Sequence, residues 1–190
     1  MTYSRKLPGN ATSSTVAEVN PKALAQGLYS TAAASAGISV ADNANLDMGT
    51  NDFTLHWEGS LPDWTPAAGI YLMRKGAING TGPAYEFSIG PTGTIRAYLK
   101  GAGGTVKNFE SATANTFVDG STHKLTLIFT RETTGAAGSL SIWTDGILFE
   151  SATIEAGAGG DVGNALGMEI MGHNSSTRYA GTTNSAVIYN

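Results

Sequence analysis

The 190-residue sequence contains no cysteine, which excludes disulfide bonds, cysteine metal ligands and cysteine nucleophiles. Charged residues make up only 14% of the chain, against an ordinary share of about 25%. Eleven basic residues are scattered along it, with no Lys/Arg run longer than Arg5-Lys6. Nucleic acids and anionic lipid surfaces are bound through clustered basic side chains, so we expect neither as a partner.

Long apolar segments are also missing. No stretch approaches the roughly 18 consecutive apolar residues of a membrane-spanning helix, so membrane insertion is not expected. No apolar segment follows Arg5-Lys6, and the sequence therefore predicts no secretory signal. We expect a protein that is made and kept in a cytoplasm, or that leaves it by lysis or dedicated export.

Glycine, by contrast, is abundant, with 25 residues. The hydrophobic content of 41% is enough for one core in a chain of this length. A weakly charged, glycine-rich chain favours many short strands joined by tight turns over a helical bundle.

From Ile38 onward, apolar and polar residues alternate with the period of two that indicates half-buried strands. The apolar sets are Phe53-Leu55-Trp57, Tyr85-Phe87-Ile89, Ile95-Ala97-Leu99 and His123-Leu125-Leu127-Phe129. Turn sequences separate these sets, and Pro91-Thr92-Gly93 and Asp145-Gly146 are typical of hairpins. Many short strands with no helical stretch between them predict a β-sandwich.

Residues 1–36 differ from the rest, being rich in Ala, Ser, Thr and Asn. Pro21–Gly27 is compatible with one short helical turn that ends at its glycine. Two interpretations remain open for the whole segment: a flexible tail, or an extended or partly helical arm that becomes ordered against a partner.

Four stretches, in this order, resemble the laminin-G-like or concanavalin A-like lectin domain. They are the turn and strand Asp42–Trp57, the turn Asp119–His123, the hairpin Trp143–Gly146 and the final strand Val187–Asn190. The resemblance implies an all-β fold, an antiparallel jelly-roll β-sandwich, over residues 37–190. It says little about activity, because one fold supports many functions.

Glycoside hydrolases with this fold carry a Glu-x-Asp-x-Glu run, but here no two acidic residues are closer than five positions. A retaining glycosidase needs two carboxyl groups about 5 Å apart, and Asp42, Asp47 and Asp52 alternate between opposite faces of an extended chain. A Gly-x-Ser-x-Gly nucleophile motif is also missing. We therefore predict a protein that is not an enzyme and has no catalytic residues.

Sugar binding needs an aromatic platform and planar polar partners. Trp64 lies in a proline-bounded loop, and the polar loop 172–179 offers further side chains. The predicted carbohydrate-binding residues are Trp64, His173, Asn174, Arg178 and Tyr179. The alternative is an ordinary loop with Tyr179 packed at the start of a strand.

Calcium is the one cofactor that the sequence leaves open. Relatives of the resembled domain often hold one Ca²⁺ at the rim, through an aspartate and loop carbonyl groups. The candidate ligands are Asp63 and Asp161, both in predicted loops. Calcium takes six to eight oxygen ligands and the chain has no Asp-x-Asp run, so solvated loop acids are the alternative.

Two functions from different classes follow. The first is a structural or adhesion protein of a bacteriophage virion, either a capsid decoration or a tail-fibre module. Its residues 1–36 would dock on other virion proteins, its sandwich would touch host glycans, and it is expected to form a homo-oligomer. The second is a free carbohydrate-binding module. A glycoside hydrolase of the same fold is the third interpretation.

Overall fold

A computed structural model describes residues 22–31, 38–76, 82–103, 106–132, 137–154, 160–173 and 177–190. For residues 22–31, 173, 177 and 178 the description is limited to the backbone. Most of residues 1–36, the predicted arm, therefore lies outside the described residues. No helix in the described ranges is long and apolar enough to cross a membrane.

The described backbone is almost entirely β-structure, with a single 3-10 turn at Ala44–Leu46 and a tight turn at Pro91–Gly93. The strands are β1 Lys22–Thr31, β2 Ile38–Val40, β3 Phe53–Ser60, β4 Ile70–Lys75, β5 Ala84–Ile89, β6 Thr94–Lys100, β7 Val106–Ala114, β8 Thr122–Thr130, β9 Gly138–Thr144, β10 Ile147–Ile154, β11 Met168–Ile170, β12 Gly172–His173, β13 Thr177–Arg178 and β14 Gly181–Tyr189.

Two six-stranded antiparallel sheets form the body of the protein. The first sheet has the order β1-β14-β3-β8-β9-β10, and the second has the order β2-β11-β4-β5-β6-β7. Strands β12 and β13 form a separate hairpin. The predicted fold class, an all-β jelly-roll sandwich, is confirmed.

The core lies between the two sheets and is built by the predicted alternation. Phe53, Leu55 and Trp57 of β3 are buried, while the residues between them are half-buried on the outer face. Phe53 stacks on Phe129 of β8, with ring centroids 4.6 Å apart. Across the sandwich, Phe53 also contacts Tyr85 of β5 at 5.3 Å, which joins the two sheets through aromatic packing.

The hairpin predicted at Asp145-Gly146 joins β9 to β10. Asp145 has a φ of 52° and Gly146 a φ of 83°, the pair of positive values that a type I′ turn requires. The turn at Thr92-Gly93, which joins β5 to β6, also has positive φ at both residues, 66° and 84°.

The segment that was expected to be an arm contributes an edge strand to the first sheet. β1 pairs with β14, from Lys22 opposite Ile188 to Thr31 opposite Gly181. From Lys22 onward the backbone is extended, which agrees with the extended alternative for this segment and not with the short helical turn considered for it. Backbone pairing with β14 supplies hydrogen bonds that an isolated helical turn of this length cannot.

A fully buried lysine at the end of β4 connects three segments of the chain through ion pairs and hydrogen bonds. The Lys75 ammonium lies 2.5 Å from Asp42 Oδ1 and 3.2 Å from Asp47 Oδ1. It also donates to the carbonyl oxygens of Asn164 and Leu166, both at 2.7 Å. These four oxygens surround a charge that has no access to solvent.

Candidate functional site

The outer face of the second sheet carries a row of polar side chains that crosses all six strands. In an antiparallel sheet, residues directly opposite one another project from the same face. The successive register partners from β2 to β7 are Ser39, Glu169, Arg74, Glu86, Tyr98 and Asn108. A second row on the same face contains Tyr71, Ser88, Arg96 and Glu110. We call these ten residues the polar face.

Arg74 lies near the centre of the polar face and is only 6% exposed. Its Nε donates to the carbonyl oxygen of Gly76 at 2.9 Å, and its guanidinium carbon lies 5.1 Å from the centre of the Tyr71 ring. Nη1 is buried and has no hydrogen-bond partner among the described residues. A buried donor without a partner costs free energy, so Nη1 is a candidate ligand contact.

Glu86, opposite Arg74, is 4% exposed. Its Oε1 accepts from the Ser88 hydroxyl at 2.9 Å, whereas Oε2 is buried and lacks a partner within the described part of the chain. Burial raises the pKa of Glu86 to about 7, although the Ser88 hydrogen bond and the charges of Arg74 and Arg96 act in the opposite direction. This carboxyl therefore changes charge near neutral pH.

Arg96 lies on β6, on the side of β5 away from Arg74, and pairs with Ser88, two residues after Glu86. Its Nη2 donates to both oxygens of Glu110, at 2.8 and 2.9 Å. The Arg96 hydrogen bond, together with one from Thr94, lowers the pKa of Glu110. Arg96 Nε is buried without a partner among the described residues. It lies over Gly90, where a Cβ atom would come within 2.4 Å of Nε, so a side chain there would displace the guanidinium.

Three tyrosines surround this charged cluster. Burial raises the pKa values of Tyr71 and Tyr98, and it raises the pKa of Tyr179 to about 12. The phenols are therefore protonated at physiological pH and can donate hydrogen bonds. The rings of Tyr71 and Tyr179 lie 6.1 Å apart.

A groove of about 730 Å³ adjoins the polar face on the side of β2 and β11. Its lining residues are Ser39, Val40, Ala41, Asp42, Arg74, Gly76, Ala165, Leu166, Gly167, Met168 and Glu169. Ser39, Arg74 and Glu169 thus belong to both the groove and the polar face. Asp42 and Leu166 also contact Lys75, so the buried ammonium holds part of the groove wall.

The predicted sugar-binding loop reaches the polar face through Tyr179. The Tyr179 N–H donates to the carbonyl oxygen of Met171, whose own N–H donates to Leu72 of β4. The backbones of His173 and Arg178 belong to the β12–β13 hairpin, but their side chains lie outside the described residues. Asn174 lies wholly outside them.

Trp64 is fully buried, so it offers no exposed ring face to a sugar. Its indole packs edge-on against Trp57, with ring centroids 6.1 Å apart, and against Phe117 at 5.0 Å. Its Nε1 donates to the carbonyl oxygen of Ser121, and its backbone N–H donates to Asp119. The interpretation of Trp64 as a sugar platform is therefore wrong, because its ring packs in the core.

The two predicted calcium ligands lie far apart. Asp63 accepts from the Thr65 N–H and is the residue before Trp64. The Asn115 amide donates both to the Trp64 carbonyl oxygen and to the Gly93 carbonyl oxygen, in the turn at the start of β6. The Asp161 carbonyl oxygen accepts from Ala102, just beyond the end of β6. A strand of this length separates the two acids by about 20 Å, so they cannot share one ion. Within the described residues, no group of three or more His, Asp or Glu side chains could hold a metal.

Ser121, His123 and Asp145 form a hydrogen-bonded chain that resembles a Ser-His-Asp catalytic triad. His123 contacts Ser121 Oγ through Nε2 and Asp145 Oδ2 through Nδ1, both at 2.7 Å. However, the Ser121 hydroxyl donates its one proton to the carbonyl oxygen of Val118, whereas a nucleophilic serine donates that proton to the histidine. The chain instead ties the turn before β8 to the β9–β10 turn.

Sequence reasoning did not identify Arg74, Glu86 and Arg96 as a cluster. The sequence shows Glu86 and Ser88 alternating with apolar residues, and Arg96 and Tyr98 doing the same. This alternation places all four on the outer face of their strands. What remained hidden was the strand order and register, which bring three strands together.

No protein-family model matches this chain, and no curated protein matches it in sequence. Solved structures do match it in fold. The binding domain of Paraclostridial Mosquitocidal Protein 1 has a TM-score of 0.60 at 13% identity, covering 90% of this chain and 44% of that chain. This chain thus spans less than half of that structure's length.

Two further solved structures are similar in fold. Ruminococcus gnavus IT-sialidase CBM40 bound to alpha2,6 sialyllactose gives a TM-score of 0.51 at 11% identity, covering 85% of this chain and 90% of that one. Domains LG4-5 of the mouse laminin alpha1 chain give 0.55 at 13% identity, covering 86% and 40%. At these identities the similarities establish a lectin-like β-sandwich fold, in agreement with the predicted resemblance.

Proposed function

We propose that this β-sandwich is a non-enzymatic carbohydrate-binding domain and that the glycan lies on the polar face and in the adjoining groove. The observation that carries the proposal is the pair of buried, unpartnered polar atoms, Arg74 Nη1 and Glu86 Oε2, among the described residues of one face. Buried polar atoms without partners mark places where a ligand can complete the hydrogen bonding. Tyrosine rings beside them supply apolar and hydrogen-bonding surface suited to sugars.

The comparisons support this proposal at the level of class. The three similar structures named above are mainly binding domains, and one of the three holds a bound oligosaccharide. A binding rather than hydrolytic role also fits the carboxyl groups of the polar face. Glu110 is engaged by both Arg96 and Thr94, and Glu86 by Ser88. Neither is placed as one member of a nucleophile and acid pair.

The placement on a bacteriophage particle is a finer proposal, and its support is the sequence composition alone. None of the three similar structures named above is a virion protein. Virion partners, virion localisation, homo-oligomer formation and calcium binding likewise remain predictions. Co-purification of the full chain with assembled particles would support the virion placement, and its consistent absence from them would contradict it.

A glycan array probed with the purified chain tests the proposed function. We expect binding to at least one glycan, and loss of that binding in Arg74→Met, which keeps the aliphatic stem and removes the guanidinium. Lys124→Met is the matched control, because Lys124 lies on the first sheet with a 60% exposed side chain. It should bind as the unaltered protein does.

Glu169→Ala is the second variant, in case Arg74→Met does not fold. Glu169 is half-buried, lines the groove and lies opposite Arg74. Weakened binding by a folded Glu169→Ala protein would locate the site on this face. An array without hits, or hits that both variants leave unchanged, would contradict the proposal.

A further inference from the structure

Two unpartnered atoms of opposite hydrogen-bonding character lie side by side at the centre of the polar face. Arg74 Nη1 can only donate, whereas Glu86 Oε2 accepts when the carboxyl is ionised. Neither has a partner within the described residues. The two side chains are register partners, with Arg74 Nε 4.0 Å from Glu86 Oε2, a separation too long for a direct hydrogen bond. Both atoms are buried, so a ligand that both accepts and donates would have to enter beside Arg74, which lines the groove, to supply the missing partners.

The charges on this face balance. Lys100 follows Tyr98 by two residues on β6 and therefore projects from the same face as the ten residues of the polar face. With Lys100 included, the described cationic side chains of this face are Arg74, Arg96 and Lys100, and the carboxyl groups are Glu86, Glu110 and Glu169. With Glu86 ionised, three positive groups face three negative ones. A ligand that carried its own carboxylate would add an uncompensated negative charge beside Glu86, which costs free energy in a buried site. An uncharged ligand preserves the balance.

We infer that Arg74 and Glu86 form a subsite for two neighbouring hydroxyl groups of an uncharged sugar. One hydroxyl oxygen accepts a hydrogen bond from Arg74 Nη1, and the adjacent hydroxyl donates to Glu86 Oε2. This inference rests on the proposed function and names the class of glycan that the site takes. It differs in ligand charge from the sialyllactose bound by the similar CBM40 structure.

The neighbouring contacts fix both groups before a ligand arrives. Gly76 holds Arg74 through Nε, and Tyr71 lies beneath the guanidinium. Ser88 holds the other oxygen of Glu86. A receptor whose side chains are already oriented loses less conformational entropy on binding. Hydroxyl groups with the correct relative orientation should therefore be selected over other stereoisomers of the same sugar.

The hydrogen-bond directions make sugar affinity depend on the protonation state of Glu86. Because Oε1 already accepts from Ser88, a proton on Glu86 lies on Oε2 and replaces its acceptor role toward the sugar hydroxyl. The pKa of about 7 makes the ionised form, in which Oε2 accepts, dominant only above neutral pH. The groups facing it are Arg74 on β4, Arg96 and Tyr98 on β6, Tyr71 on β4 and Tyr179 beyond the hairpin. The three tyrosines have raised pKa values, so their phenols stay protonated near pH 7.

The affinity for an uncharged sugar should therefore rise with pH up to about 7 and then level off. Below that value the affinity should fall roughly tenfold for each pH unit, because the ionised fraction falls in that proportion. A carboxylate-bearing sugar would show the opposite trend, since its charge favours the protonated form of Glu86. The two ligand classes thus differ in the sign of the pH dependence.

The test is calorimetric titration of the full chain with matched sugars. The probes are the methyl glycosides of glucose, galactose and arabinose, and the glucuronic and galacturonic acids that differ from the hexoses by one carboxylate. Each is measured at about pH 5.5 and about pH 8.5, on either side of the Glu86 pKa. We expect an uncharged sugar to bind, more tightly at the higher pH, and its matched acid to bind at least tenfold more weakly.

Glu86→Gln separates the subsite from other titrating groups, including His173, whose side chain lies outside the described residues. Glutamine keeps an acceptor oxygen without titrating, so the variant should bind the sugar with an affinity independent of pH. Unchanged pH dependence in a folded Glu86→Gln protein would overturn the inference, as would preferential binding of the acids. Binding of acids that Arg74→Met abolishes would overturn it while the proposed function stands. Failure of every glycan to bind would overturn both.

Discussion

The ammonium of Lys75 lies 2.5 Å from the Asp42 carboxylate in a position with no access to solvent. The carboxylate of Asp47 and two backbone carbonyl oxygens complete its surroundings. A buried charge is tolerated only when it is fully paired and hydrogen-bonded. Because Asp42 and Leu166 also line the groove, the candidate binding surface depends on this internal ion pair.

Replacement of Lys75 by methionine should destabilise the protein strongly. The variant keeps the apolar stem but leaves two carboxylates facing each other without a cation. Removal of one partner of a fully buried ion pair typically costs about 3–5 kcal/mol. The Asp42 and Asp47 side chains are 34% and 36% exposed and keep part of their hydration, so we expect a loss of about 2–3 kcal/mol in the free energy of unfolding measured in urea. Lys124→Met is again the control, because Lys124 Nζ lies 3.9 Å from Glu58 at the surface, and its loss should cost less than about 1 kcal/mol.

Calcium should partly restore a Lys75→Ala variant. Asp42, Asp47 and the carbonyl oxygens of Asn164 and Leu166 would then form an oxygen cage without its ammonium. Calcium is bound by such oxygen sets, with water filling the remaining positions. We expect millimolar CaCl₂ to raise the thermal midpoint of Lys75→Ala more than that of the unaltered protein, and EDTA to reverse the gain. An equal rise in both proteins would contradict this expectation.

The stability of the protein should depend on pH through Glu86. Its pKa is about 7 in the folded state against 4.5 for an unperturbed glutamate, so the folded state binds more protons than the unfolded state between these values. Stability from this group is therefore fully present below pH 4.5 and is lost as pH rises through 7. The shift corresponds to about 3 kcal/mol. Urea unfolding of Glu86→Gln should lack this decline, and parallel pH curves for the two proteins would show that Glu86 is not the cause.

Trp64 should matter for stability and not for sugar binding. Trp64→Phe keeps an aromatic ring in the core but loses the hydrogen bond to Ser121 and some packing, at an expected cost of about 1–3 kcal/mol. Affinity for a glycan that binds the polar face should be unchanged. Trp143→Phe is the matched control, since Trp143 is only half-buried and bonds to Ser141 on its own strand. A selective loss of glycan affinity in Trp64→Phe would return this residue to the binding site.

The fold was predictable because its signals are local. Phe53, Leu55 and Trp57 identify a strand by alternation alone, and Asp145-Gly146 identifies a hairpin by the backbone angles that these residues adopt readily. Both are properties of a few consecutive residues. They remain valid whichever strands become neighbours in the sheet.

The candidate site was not predictable in the same way. Arg74 and Glu86 are neighbours because β4 pairs with β5, and Glu169 joins them because β11 is inserted between β2 and β4. Such register depends on contacts between residues far apart in the chain. The burial of Trp64 has the same origin, since its loop is covered by Phe117 from a distant segment.

Strand β1 should be part of the folding unit, although its composition resembles that of a tail. Deletion of residues 1–31 would leave the backbone groups of β14 unpaired along one edge, from Gly181 to Ile188. Exposed strand edges pair with other chains, so we expect a lower urea midpoint together with self-association by light scattering. Deletion of residues 1–21 is the control, because it keeps β1 intact. A monomer of unchanged stability after the longer deletion would show that β1 is dispensable, as expected of a docking arm.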